Sequence, residues 1–70
     1  MIIYKRELNA DDLKNLNDGE ELIYYKSDEV AMTISIIMDE NFLVRIKRIS
    51  DNKLIEEVIL KTIEEVMEFI

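Results

Sequence analysis

NKLIEEVILKTIEEVMEFI, residues 52–70, is the stretch on which the architecture turns. Ile55, Val58, Ile59, Thr62, Ile63, Val66, Phe69 and Ile70 share one arc of a helical wheel, which predicts a long amphipathic helix. Ser50 or Asp51 is suited to cap its start, and Glu56 and Glu57 fall where the helix dipole favours negative charge. On the opposite arc Glu57, Lys61, Glu64, Glu65 and Glu68 form a mostly acidic ridge, about 16 Å long at about 1.5 Å per residue. Its last acids lie where a helix end favours cations, which is locally unfavourable. Leu60 and Met67, with Leu54 on the other flank, widen the apolar stripe beyond what one small sheet needs to cover it.

The residues before this stretch supply the sheet. Val30, Met32, Ile34, Ile36 and Met38 alternate with Ala31, Thr33 and Ser35, so one face of this segment is buried. Phe42, Val44 and Ile46 repeat the pattern against Arg45 and Lys47, until Arg48-Ile49 inverts it as a bulge or strand end does. Hairpin connections are expected at Ser27-Asp28-Glu29 and Asp39-Glu40-Asn41. The uncharged segment 30–38 is hazardous as an exposed edge and belongs in the interior of a sheet or of a dimer-wide sheet.

Further out, Met1 to Leu8 reads as a short strand, and Asn9 as the N-cap of a short helix near Ala10 to Leu16. Asp11 and Asp12 suit its positive end, and Leu8 with Leu13 forms a hydrophobic staple. Asn17-Asp18-Gly19 terminates it. The expected fold is α+β: a mainly antiparallel four-stranded sheet in the order β-α-β-β-β-α, one domain over residues 1–70, with a long C-terminal helix across one face.

Composition narrows the chemistry. The chain has 70 residues, Cys 0 and His 0, so thiolate and imidazole chemistry, disulfides and metal sites built on those ligands are absent. A lone glycine, Gly19, leaves no phosphate-binding glycine loop. Aligning Gly19 with the turn glycine of a calcium loop puts Lys14 and Leu16 at the first two ligand positions, which rejects an EF-hand and leaves Asp18, Glu20 and Glu21 as a solvated turn. Asp11, Asp12, Asp28, Glu29, Asp39 and Glu40 sit in caps and turns, and so small a core leaves little room for an enclosed cleft, so neither an enzyme nor a cofactor or metal is expected. Charged residues by position five and the lack of an apolar run of about 20 residues give the expectation of an intracellular, cytoplasmic protein without a membrane segment.

With Lys+Arg 9 against Asp+Glu 16, the net charge is -7. Direct nucleic-acid binding needs the opposite balance, and a sheet-face binder would rely on Arg45 and Lys47, with Tyr4, Tyr24 or Tyr25 for stacking. Tyr24 and Tyr25 point to opposite faces, so at most one of them enters the core. The leading expectation is a non-enzymatic interaction module, an acidic inhibitor occupying the basic or nucleic-acid-binding surface of a larger protein. Glu57, Glu64, Glu65 and Glu68 would carry the electrostatics, with Asp39 and Glu40 as a second cluster. In size and charge, though in no motif, this is similar to small phage-encoded anti-restriction and anti-CRISPR proteins, which would place it in the host cytoplasm. The second expectation is a homodimeric structural or adaptor module joined through the apolar fringe of Leu54, Leu60 and Met67.

Overall fold

The computed structural model describes residues 1–38 and 41–70. The chain runs β1 (Ile2–Lys5), α1 (Ala10–Lys14), β2 (Glu21–Tyr25), β3 (Val30–Ile37), β4 (Asn41–Arg48), β5 (Lys53–Leu60) and α2 (Ile63–Phe69). The strands form one five-stranded mixed sheet in sequence order. β1 and β2 are parallel and joined through α1, and β2 to β5 form an antiparallel meander.

Residues 52–70 therefore do not make one long helix, and the sheet is not four-stranded. Lys53–Leu60 is the fifth strand, and only the seven residues Ile63–Phe69 are helical. The physical reason lies on both sides of the stretch. β-branched Ile55, Val58 and Ile59 fit a pleated surface at least as well as a helix. The outer edge of β4 also has a row of backbone groups that β5 satisfies and a helix would leave to solvent. Asp51 and Asn52 make the reversal instead of a helix start: Asn52 has φ 56, a left-handed conformation that asparagine tolerates, and the Asp51 carboxylate accepts from the Lys53 amide at 3.2 Å. The helix cap is Thr62, whose hydroxyl accepts from the Glu65 amide at 3.1 Å.

α1 begins as its sequence indicates. Asn9 accepts from the Asp12 amide and the Asp12 carboxylate accepts from the Asn9 amide, each at 3.0 Å, closing a capping box. The helix stops at Lys14 with Asn15 as C-cap, short of Leu16, although Leu16 remains buried. Gly19, at φ 85, forms the turn into β2, where a side chain would be strained. Of the two expected hairpin turns, Ser27-Asp28-Glu29 is present, with the Ser27 hydroxyl accepting from the Glu29 and Val30 amides. In the other, Asn41 belongs to β4, and Asp39 and Glu40 lie outside the described residues.

Both helices cover one face of the sheet. Leu22, Ile34, Val44 and Val58 stand abreast across four strands, and Leu13, Leu16, Met32, Phe42 and Val66 complete the packing around them. Met38, expected on this buried face after Ile36, is 85% exposed because β3 ends at Ile37. Among the described residues no helix is long and apolar enough to cross a membrane.

Candidate interaction surface

Register assigns the residues of the uncovered face. One row across the strands is Ile2, Glu21, Ser35, Leu43 and Ile59; the next is Tyr4, Ile23, Thr33, Arg45 and Glu57; a third is Tyr25, Ala31, Lys47 and Leu54. Strand alternation alone puts these side chains opposite the core, and the helices leave them open to solvent. Ile2, Tyr4 and Ile59 are 53%, 61% and 56% exposed, which puts large apolar side chains at both edges of the face.

The face has relief. Ala31, Thr33 and Ser35 of the central strand are small, and they floor a valley between the longer side chains of β2 and those of β4. Ala31 and Thr33 are only 9% exposed although no described element lies over them, because their tall neighbours shade them. Part of this valley is a hollow of about 290 Å³ bordered by Tyr25, Thr33, Lys47 and Arg48. On its β1 side Tyr4 and Tyr25 stack with ring centres 6.1 Å apart and planes 9° from parallel. The Arg6 guanidinium lies 6.0 Å from the centre of the Tyr25 ring.

Charge on this face is balanced. Arg45 donates to Glu57 across the β4–β5 ladder at 2.8 Å, and Lys47 offsets Glu21. The described residues of the open face thus carry no net negative charge, whereas the chain as a whole carries -7. At the far end of the same hairpin Arg48 grips Asp51 with two hydrogen bonds, of 3.0 and 2.6 Å. That contact raises the Arg48 pKa and holds the Asp51 carboxyl below its ordinary value.

The expected site residues are dispersed by this fold. Glu57 is on the open face in a pair with Arg45, while Glu64, Glu65 and Glu68 are exposed on α2, so a single helical ridge joining them does not exist. Of the expected apolar fringe, Leu60 and Met67 pack against the core and Leu54 is exposed on β5. Lys5 of β1 reaches Asp12 of α1 at 3.3 Å. Tyr24 packs against the core and Tyr25 faces outward. In the turn before β2, the Glu20 carboxylate accepts from the Asn17 amide at 2.8 Å. Among the described residues no cluster of three or more acids is arranged to hold a metal ion.

Ile23 and Leu43 lie on this face although the sequence alone assigns them to no surface, and Ile59 lies there although its helical spacing puts it on the buried arc of the expected helix. Leu43 was legible, because it alternates with Phe42 and Val44. Ile59 was not, because helical spacing places it beside Val58 and Ile63. Comparison with known proteins finds no family model, no curated protein and no solved structure that matches this chain.

Proposed function

We propose that the protein is a non-enzymatic interaction module that binds another protein through the uncovered face of its sheet. The observation that carries this reading is the coincidence, on one face, of exposed Ile2, Tyr4 and Ile59, a valley along β3 and charges that cancel. Apolar and aromatic side chains are where binding energy concentrates in protein interfaces, and mixed charges at the margin set orientation. Nucleic-acid binding by the same face draws on Tyr4, Tyr25, Arg6, Arg45 and Lys47, but works against the charge of the whole chain.

The test is partner capture from the native host by tagged protein, read by mass spectrometry. Ile59→Lys and Tyr4→Glu are expected to abolish capture while far-UV circular dichroism stays unchanged. Capture that survives both substitutions rejects the reading.

A second reading, the acidic inhibitor, is favoured by the segregation of charge. With the open face neutral, the acids Glu64, Glu65 and Glu68 on α2 belong to the strongly negative remainder, and no basic residue occupies the last turn of that helix. It predicts loss of capture on combined Glu64→Lys and Glu68→Lys, with Ile59→Lys harmless. The two readings thus assign the loss to opposite sides of the sheet.

A further inference from the structure

We infer that the occupant of the open face is a second copy of this chain, packed sheet to sheet about a twofold axis; this rests on the reading of that face as a protein-binding surface. Charge supports a like partner here. Two molecules of net charge -7 repel each other in most orientations, and among the described residues the open face carries no net negative charge to oppose their approach.

Area sets its strength. Strands spaced about 4.8 Å apart, rising about 3.3 Å per residue, give the part of this face on β1 to β4 a projected area of roughly 400 Å². The arrangement described next covers that part and leaves β5 outside it, so the two copies together cover roughly 800 Å², the size of a weak, concentration-dependent interface. A chain this short, with a correspondingly thin core, gains from such burial.

Shape chooses the arrangement. An axis running along the strands, between β2 and β3, lays β2 of each copy over β3 of the other and β1 over β4. To within the sheet twist, the rows of the register then meet their own counterparts. Ile23 lies over Thr33 and Tyr25 over Ala31, so the tall side chains of β2 enter the valley of the partner copy. Ile2 lies over Leu43, and the Tyr4 ring over the Arg45 guanidinium. Every contact occurs twice.

The edge strand β5 is a poorer route to self-association. It has a β-bulge where Ile46 pairs with Glu56 but Lys47 pairs with Leu54, and its Glu56 shares the core-facing side of the ladder with Ile46. Both features discourage edge-to-edge pairing.

Sedimentation equilibrium of the full chain across about 1 to 500 µM tests the proposal, a range that brackets a micromolar dissociation constant. The expected result is twice the chain mass at the upper end. Thr33→Arg, which fills the valley, and Ile2→Glu, at a position already exposed, are each expected to return the monomer mass with unchanged circular dichroism. A monomer throughout the range, or a dimer that persists in both variants, overturns the proposal. So does a fluorescent oligouridylate that binds at about 150 mM salt and is displaced by Thr33→Arg, since the occupant is then a single-stranded nucleic acid. A monomer whose capture of a different host protein is lost on Thr33→Arg sinks the dimer and leaves the protein-binding face standing; variants that change neither mass nor capture remove both.

Discussion

Ile46 and Glu56 stand opposite each other across the β4–β5 ladder, and because Ile46 packs against the core, Glu56 sets a carboxylate on the core-facing side of the outermost strand. The neighbouring pair is Lys47 with Leu54, so Ile55 is the extra residue of a bulge. An eight-residue edge strand with exposed Leu54, Ile55 and Ile59 is a template for another chain. Here it is broken in register and carries a charge on its inner side.

Glu56→Val is accordingly expected to produce oligomers larger than a dimer, growing with concentration, while leaving monomer stability within about 0.5 kcal/mol of the parent, as for most surface changes. Light scattering on the Thr33→Arg background isolates the effect from face-to-face pairing. Unchanged scattering up to millimolar protein would show that Glu56 does not guard the edge.

The two faces of the sheet should differ sharply in what truncation costs. Ile34 is fully buried between the helices and the sheet, and Ile34→Ala is expected to destabilise by about 3 kcal/mol, a large share of what a domain of this size possesses. Ile59→Ala on the open face is expected to cost under about 0.5 kcal/mol in the monomer. Urea unfolding of both variants at low micromolar concentration, where association is negligible, measures the contrast. Equal losses would mean that the open face is covered in the isolated chain.

Asp51 gives the β4–β5 turn a dependence on pH. The Arg48 guanidinium lowers the Asp51 pKa from 3.8, so its contribution is fully present above about pH 4 and is lost as pH falls through the lowered value. Arg48 stays protonated across this range, its own pKa being raised by the same contact. The pair is exposed, so the effect is local to the turn. A carboxyl-carbon titration by NMR is expected to place the Asp51 midpoint below 3.8, and Arg48→Gln to move it back up. A midpoint unaffected by Arg48→Gln would mean that the pair does not persist in solution.

How far the fold could be read from the chain depends on which residues are asked. Val30, Met32, Ile34 and Ile36 alternate without interruption, and β3 is the central strand, as an uncharged segment requires. Asn9 and Asp12 likewise announced a helix start. Residues 52–70 misled because Leu54, Ile55, Val58, Ile59 and Leu60 are apolar on both sides of β5, and a strand apolar on both faces has no period of two to recognise. Helical spacing aligns the acids from Glu57 to Glu68 into a ridge, and the bend after Leu60 divides it. The open face was hidden for a related reason: it exists only once β5 is counted among the strands, and Ile2 and Tyr4 become its residues only through the parallel pairing of β1 with β2.

One substitution separates the two architectures by sign. Thr62-Ile63-Glu64-Glu65 has the spacing of a capping box, with a hydroxyl three residues before an acid, and it marks a helix that begins at Ile63. In a helix running through residues 52–70, Thr62 would be internal, and Thr62→Ala would exchange a β-branched residue for the best helix former, stabilising by a few tenths of a kcal/mol, on the order of the propensity difference. In the structure the Thr62 hydroxyl accepts from the otherwise orphaned Glu65 amide. Its removal is therefore expected to destabilise by about 1 kcal/mol. Loss of amide protection should concentrate at Glu65 and leave β5 untouched. Hydrogen exchange resolved by residue, alongside urea unfolding, checks both sign and location. A stabilised variant with α2 unaffected would argue that residues 52–70 are continuous helix and that β5, with the face it completes, is absent in solution.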